Sequence, residues 1–161
     1  MFAQPFIDST DFAKNGREMC GEIPVSELLR LADVLANQSG SLTYKIRGSR
    51  DDEHDMLVLE VSGVCILRCQ RCLGELRYPL EIEARFRLLP SDRLGEVDEV
   101  DDVDGIEASQ RLDVQALIED EILLGLPFAP RHEEGACSPA VNVLQQSVNP
   151  FAVLAGLKKK Q

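Results

Sequence analysis

Residues 77–90 show the pattern that most limits the fold, because apolar and charged side chains alternate through most of the segment. A period of two places these two sets on opposite faces of an extended strand. The segment therefore predicts a long strand with one face in a core and the other in water. The apolar face would consist of Leu80, Ile82, Ala84, Phe86 and Leu88, and the charged face of Glu81, Glu83, Arg85 and Arg87.

Shorter segments before this strand also have the composition of strands. Residues 41–47 alternate between apolar and polar side chains, and residues 56–63 are rich in branched apolar residues. The polar segment 48–55 lies between them and is typical of a turn. Residues 64–76 begin as a strand and turn at a pair of cysteines. Together these segments predict an antiparallel sheet over about residues 41–90.

Helical patterns lie outside that block. Residues 24–37 and 112–127 place apolar side chains at helical spacing, and Asp113 is a plausible N-cap for the second segment. The last segment, 149–161, begins with Asn-Pro and continues with apolar residues at similar spacing. Because strands cluster within 41–90 and helices flank them, the predicted class is α+β with an antiparallel sheet. The whole chain of 161 residues is short enough for a single domain.

The charge of the chain is strongly acidic and unevenly distributed. The net charge is −11, which excludes an overall basic nucleic-acid-binding protein. Residues 91–121 contain 12 acidic and 2 basic side chains, so this segment contributes most of the imbalance. We expect a mobile acidic loop at about 91–109, which either keeps the protein soluble or docks a basic partner. The docking candidates are Asp98, Glu99, Asp101, Asp102 and Asp104.

Four cysteine and histidine residues have spacings that suit a metal site. Cys69 and Cys72 form a C-x-x-C pair, in which one turn can present both sulfurs to a tetrahedral ion. His132 and Cys137 lie about 60 residues further on and would complete a Cys3His set for zinc. A reduced thiol pair without metal and a redox pair remain alternatives, although the pair is not part of a βαβ unit. The sequence therefore predicts a zinc-type Cys/His knuckle as the first hypothesis.

The remaining cysteines have no such spacing. Cys65 lies in an apolar strand segment and is expected to be a small buried side chain, although it could substitute as a ligand. Cys20 precedes a glycine in an expected loop. Neither position adds a motif to the pair at 69 and 72.

Several functional classes are not supported by any motif. No stretch approaches the length of a membrane span and the first residues do not resemble a secretory signal, so we expect a cytoplasmic protein. The chain lacks a Gly-rich phosphate loop, a G-x-S-x-G turn and an H-E-x-x-H helix. A zinc ion with four protein ligands has no open position for substrate. We therefore expect no enzymatic activity and no small-molecule substrate.

The order of several motifs resembles the bacterial YceD family. The motifs are CQRCL at 69–73, YPL at 78–80, IEDEILLGLP at 118–127 and NPFAVLAGLKKK at 149–160. The last of these is the most specific, and the resemblance covers roughly residues 20–161. An acidic loop between the second and third motifs is part of the resemblance.

The resemblance implies a role in ribosome biogenesis without known enzymatic activity. The family is implicated in accumulation of large-subunit ribosomal RNA, and its members are often encoded beside a small protein of the large ribosomal subunit. Plastid relatives are similarly tied to processing of that RNA. Many relatives have a cysteine cluster after the Leu-Pro turn, where this chain has His132 and Cys137. The resemblance thus assigns the metal position to Cys69, Cys72, His132 and Cys137.

Two mechanisms compete for this role, with a zinc-stapled scaffold for other assembly factors as a third. In the first, basic side chains contact RNA phosphates, and Arg77, Arg85 and Arg87 share one face of the predicted strand. In the second, the acidic loop escorts a basic ribosomal protein, and the segment 149–161 docks through Phe151 and Leu154. The full set of RNA-contact candidates is Arg68, Arg71, Arg77, Arg85, Arg87, Lys158, Lys159 and Lys160.

Overall fold

The computed structural model describes residues 5–51, 54–94 and 103–137. Strands account for most of the regular structure in these ranges. In chain order the elements are β1 (Phe6–Ile7), α1 (Ser9–Lys14), β2 (Glu18–Pro24), β3 (Ser41–Asp51), β4 (His54–Arg68), β5 (Glu75–Leu89), β6 (Asp104–Glu107), β7 (Leu112–Asp113) and α2 (Val114–Gly125).

The main sheet has five strands in the order β2-β3-β4-β5-β6, and β1 pairs separately with β7. Strands β3, β4 and β5 pair antiparallel, as predicted for residues 41–90, and β2, which was not predicted, pairs antiparallel with β3. The turn predicted at 48–55 is too long, because β3 extends to Asp51 and β4 begins at His54. Polar pairs across the ladder support this extension, and Arg50 forms an ion pair with Asp55 at 3.4 Å.

The alternation in β5 is confirmed by the burial of its side chains. Leu80, Phe86 and Leu88 are buried on one face, whereas Glu81 and Arg85 are exposed on the other. The buried face joins a core formed with β3, β4, both helices and the segment between β2 and β3. Fully buried members of this core include Leu28, Leu31, Leu42, Ile46, Leu57, Leu59, Leu67, Ile118 and Ile122.

The helix predicted at 24–37 is wrong. The chain forms two short 3-10 turns instead, at Val25–Glu27 and Leu29–Leu31. Val25, Leu28 and Leu31 are all fully buried, and their spacing of three residues matches the three-residue turn of a 3-10 helix. Leu29, which an α-helix would place on the apolar stripe, is 74% exposed.

The acidic loop predicted at 91–109 is also corrected in part. Residues 104–107 form β6, which lies parallel to β5 with Ile106 opposite Leu88. The sheet is therefore mixed rather than purely antiparallel. The strand is hard to predict from the sequence because acidic residues surround it and Ile106 is its one large apolar side chain. Ile106 packs against the core. The predicted docking residues Asp98, Glu99, Asp101 and Asp102 lie outside the described residues.

The helix predicted at 112–127 is confirmed as α2, with Asp113 as its N-cap. The Asp113 carboxylate accepts a hydrogen bond of 3.1 Å from the Ala116 backbone N–H. No pattern in the sequence predicted α1, which packs against β3 at Gly48. A Cβ atom at Gly48 would lie 2.6 Å from the Cα of Ala13, so this approach requires glycine.

Candidate metal centre

Four predicted ligands converge at one end of the sheet. The ligand atoms of Cys69, Cys72, His132 and Cys137 all lie within 4.8 Å of one another. The Cys69 and Cys137 sulfurs are 3.8 Å apart, and the Nδ1 atom of His132 lies 3.5 Å from the Cys72 sulfur and 3.6 Å from the Cys137 sulfur. The spacing argument therefore identified a set of side chains that the fold brings together.

The first pair of ligands lies in the tight connection between β4 and β5. The Cys69 N–H donates to the Gly74 carbonyl at 2.9 Å, and the Leu73 N–H donates to the Cys69 carbonyl at 2.9 Å. The Arg71 backbone N–H points at the Cys69 sulfur from 3.4 Å. We call this connection, residues 69–74, the knuckle. Its internal hydrogen bonds fix the backbone so that both sulfurs face the same point.

The second pair lies in the segment that follows α2, residues 128–137, which we call the second arm. A hydrogen bond of 2.8 Å from the Gln70 N–H to the Pro130 carbonyl fastens this arm to the knuckle. The Nε2 atom of His132 lies 2.9 Å from the Glu75 carbonyl oxygen. A carbonyl only accepts, so Nε2 bears a proton, and Nδ1, which faces the sulfurs, is the atom that would bind a metal ion.

The separations fit a tetrahedral metal ion. With metal–sulfur bonds of about 2.3 Å and metal–nitrogen bonds of about 2.0–2.1 Å, the edges of a tetrahedron are about 3.8 Å between sulfurs and about 3.6 Å between sulfur and nitrogen. Three of the six separations between ligand atoms match these edges, at 3.8, 3.5 and 3.6 Å, and all four ligand atoms lie within 4.8 Å of one another. The three thiols and one imidazole are therefore close enough to bind one metal ion together.

The surroundings favour thiolates at two of the three cysteines. Burial raises the pKa of the Cys69 thiol, but hydrogen bonds from Cys72, His132 and Arg71 outweigh it and lower this pKa to about 5. The pKa of Cys137 is lowered chiefly by the hydrogen bond from the Arg71 side chain. Metals bind the thiolate form, so these contacts prepare the cluster for a cation.

The pKa values of the other two ligands, His132 and Cys72, are raised. Hydrogen bonding to Cys137 and to the Glu75 carbonyl raises the pKa of His132. At Cys72 a hydrogen bond from the Gly74 backbone lowers the pKa, but burial and the two neighbouring sulfurs raise it overall. Without a cation, three sulfurs this close cannot all ionise easily, because their charges repel.

The other cysteines lie away from this cluster. Cys65 is fully buried within β4, which confirms the expectation of a small core side chain. Cys20 was placed in a loop by the sequence argument, but it lies exposed on β2, opposite Lys45 of β3. The cluster therefore contains three of the five cysteines in the chain.

Arg85 lies on the outer face of the sheet, among acidic and basic side chains that form ion pairs. Its guanidinium is 3.0 Å from the Glu83 carboxylate, and Arg47 lies 3.8 Å from Glu60. Arg47 and Arg85 flank Val58 in one row across three strands. Arg47 was missed by the sequence argument, although the alternation of residues 41–47 places it on the same outer face.

The other predicted basic residues are more widely spread. Arg87 lies two residues beyond Arg85 on the same face, but Arg77 is eight residues away, or about 26 Å along an extended strand. Arg68 lies exposed at the end of β4, and the side chain of Arg71 reaches into the metal cluster. Lys158, Lys159, Lys160, Phe151 and Leu154, with the predicted helix 149–161, lie outside the described residues.

Of the five acidic residues predicted to dock a basic partner, the structure describes only Asp104. Asp104 is exposed on β6. Nearby, burial raises the pKa of Glu121, and the charges of Asp104 and Asp120 raise it further. In the described part of the chain no helix is both long and apolar enough to cross a membrane.

Comparisons with known proteins agree with the resemblance of the motifs. The family model described as large ribosomal RNA subunit accumulation protein YceD matches residues 57–158, which include all four cluster residues. A Haemophilus influenzae protein with the same description is 27% identical over 170 residues, covering 96% of this chain and 95% of the relative. No solved structure matches the chain. Because the family model covers more than half of its length, the chain belongs to the YceD family.

Proposed function

We propose that this protein is a non-enzymatic factor that supports the accumulation of large-subunit ribosomal RNA, and that a zinc ion staples the part of the fold that serves this role. The observation that carries the proposal is the four-ligand cluster inside the region matched by the family model. A Cys3His set with soft sulfur ligands is typical of zinc. The protein would act in the cytoplasm as a single domain.

The ligand set favours a structural metal over a catalytic one. Catalytic zinc sites keep a position open for water or substrate, whereas four protein ligands fill the tetrahedron. Cys69, Cys72, His132 and Cys137 would hold the ion, and the ion would supply only a fixed link between the knuckle and the second arm. This agrees with the absence of a catalytic motif in the sequence and supports a binding role.

Complementation in bacterial cells tests the proposal. Cells that lack the protein would receive the wild type, Cys72→Ser or Cys20→Ser at matched protein levels, and the ratio of large- to small-subunit ribosomal RNA would be measured. Cys72→Ser removes one ligand, whereas Cys20→Ser removes an exposed thiol outside the cluster. We expect Cys72→Ser to lower the ratio and Cys20→Ser to match the wild type. Full rescue by Cys72→Ser would contradict a role for the metal.

For the direct partner we favour RNA, bound through the outer face of the sheet. Arg47, Arg85 and Arg87 lie together there, and their positive charges can contact phosphates without reading sequence. Glu60 and Glu83 weaken this face by pairing with two of the arginines. Arg68, Arg71, Arg77 and Lys158, Lys159 and Lys160 are the further candidates that the sequence suggested.

Charge reversal tests the RNA face. The double variant Arg85→Glu and Arg87→Glu should lose RNA recovered with the tagged protein from cells. Arg30→Glu is the matched control, since Arg30 is also an exposed, ion-paired arginine but contacts Asp120 of α2, away from the outer face. Equal RNA recovery from both variants would exclude the outer face as the RNA-binding surface.

The acidic edge beside β6 favours a second candidate, the escort of a basic ribosomal protein. Burial raises the pKa of Glu121, and the charges of Asp104 and Asp120 raise it further, so a basic partner would meet negative charge at this edge. The predicted loop residues Asp98, Glu99, Asp101 and Asp102 would extend this edge, and Phe151 and Leu154 would add apolar contacts. Recovery of a basic ribosomal protein that survives RNase treatment would favour the escort over RNA binding.

A further inference from the structure

We infer that Arg71 is a positioning residue of the metal centre, which holds the second arm in place and moderates the reactivity of the Cys137 sulfur. This inference rests on the metal site proposed above. Sequence reasoning placed Arg71 among the candidates for phosphate contact. Its guanidinium instead lies against the second arm, 3.0 Å from the Cys137 sulfur through Nε.

The Arg71 side chain contacts three residues of the second arm. Its terminal nitrogen donates to the carbonyl oxygens of His132 and Glu133 at 3.2 and 3.1 Å. The guanidinium therefore donates hydrogen bonds to the backbone at His132 and Glu133 and also to the Cys137 sulfur. A flat, rigid group with five donors can serve three acceptors at once, which a single ammonium group cannot do with the same geometry.

The backbone of Arg71 adds a contact on the other side of the cluster. Its N–H points at the Cys69 sulfur from 3.4 Å, so the same residue contacts a ligand from the knuckle and a ligand from the second arm. The two ligands are 68 positions apart in the sequence. Arg71 is thus placed to hold the two halves of the site in register, as outer hydrogen-bond partners of metal ligands commonly do.

The charge of Arg71 suits the proposed ligand set. Three thiolates around a divalent cation leave one net negative charge, and the guanidinium supplies one positive charge at hydrogen-bond distance. A charged N–H donor withdraws electron density from a sulfur and makes it a weaker nucleophile. Loss of Arg71 should therefore loosen the second arm and leave Cys137 more reactive than the other ligands.

The test uses the purified full-length chain loaded with one equivalent of zinc. Arg71→Gln removes the charge, Arg71→Lys keeps it without the planar fork, and Arg68→Gln is the control, an exposed arginine at the end of β4. Two quantities are measured, the zinc affinity by competition with a chromophoric chelator and the iodoacetamide labelling of each cysteine by mass spectrometry. Circular dichroism confirms that each variant is folded.

We expect Arg71→Gln to weaken zinc binding at least about tenfold, the lower end of losses seen when outer partners of metal ligands are removed. Labelling should rise at Cys137 more than at Cys72, with Arg71→Lys between Arg71→Gln and the wild type and Arg68→Gln unchanged. Wild-type values for Arg71→Gln, or an equal rise at every cysteine, would overturn the inference while leaving the metal site intact. A wild-type chain that binds no zinc would overturn both.

Discussion

Leu73 holds the turn of the knuckle in a backbone conformation that leucine rarely adopts. Its φ angle is 61°, in the left-handed region, and its side chain is 69% exposed. For an L-residue this region costs roughly 1–2 kcal/mol because Cβ crowds the following carbonyl oxygen. The hydrogen bonds at Cys69 and the link to the second arm hold the turn despite that cost.

The strain at Leu73 predicts opposite effects for two substitutions. Leu73→Gly removes the Cβ contact and should raise the free energy of unfolding by about 0.5–1 kcal/mol, after the entropic cost of glycine. Leu73→Val adds a branch at Cβ and should lower it by about 1 kcal/mol. Urea unfolding of the zinc-loaded protein measures both changes. The prediction fails if the valine variant is the more stable of the two.

The five cysteines should differ in reactivity according to their surroundings. Cys65 is fully buried, and burial raises the pKa of its thiol, so little thiolate forms at neutral pH. Cys20 is exposed on β2. In native zinc-loaded protein we expect iodoacetamide to label Cys20 within minutes and Cys65 only after denaturation. Early labelling of Cys65, followed by mass spectrometry, would show that β4 opens in the native state.

The ligands of the site could be predicted from the sequence, but their hydrogen-bond partners could not. Cys69 and Cys72 have a spacing that itself reflects the geometry of one turn. The role of Arg71 depends on where residues 128–137 lie in three dimensions, and the sequence provides no measure of that position. Arginines within a short basic stretch are therefore easily assigned to phosphate contact when tertiary structure gives them another role.

At the level of elements, long regular patterns were predictable and short irregular ones were not. The alternation in β5 and the apolar spacing in α2 each extend over many residues, so each pattern predicts its element clearly. In residues 25–31 a spacing of three also fits an α-helix, and the structure has two 3-10 turns there, directly after β2 ends its pairing with β3 at Pro24. Strand β6 has only four residues, and it is extended because it pairs with β5.

The packing of α1 against β3 depends on one glycine, which predicts a sharp effect of adding a methyl group. Gly48→Ala would place Cβ against the backbone of Phe12 and Ala13, which cannot move aside as a side chain can. We expect the free energy of unfolding to fall by at least about 2 kcal/mol, or roughly 4–8 °C in melting temperature. Ser49→Ala, the next residue on the strand, is the matched control and should melt like the wild type. A Gly48→Ala variant of wild-type stability would contradict the observed approach.

At the scale of the whole molecule, two kinds of interaction hold different parts together. The sheet and α2 share an extensive apolar core whose members include none of the four ligands. The second arm, in contrast, is joined to the knuckle through the cluster, the Arg71 contacts and the hydrogen bond from Gln70 to Pro130. The proposed zinc ion would therefore fasten the segment after α2 to the end of the long β4–β5 hairpin.

This division predicts that removal of the metal loosens one end of the molecule and leaves the sheet folded. After chelation, amide hydrogen exchange should accelerate in residues 69–75 and 128–137, where protection depends on the cluster. It should stay slow at Leu59 and Ala84, which are paired in the middle of the β4–β5 ladder and buried in the apolar core. Cys72→Ser without chelator should give the same pattern, and Cys20→Ser should match the untreated protein. Uniform acceleration over the sheet would instead mean that the fold as a whole depends on the metal, as small zinc domains do.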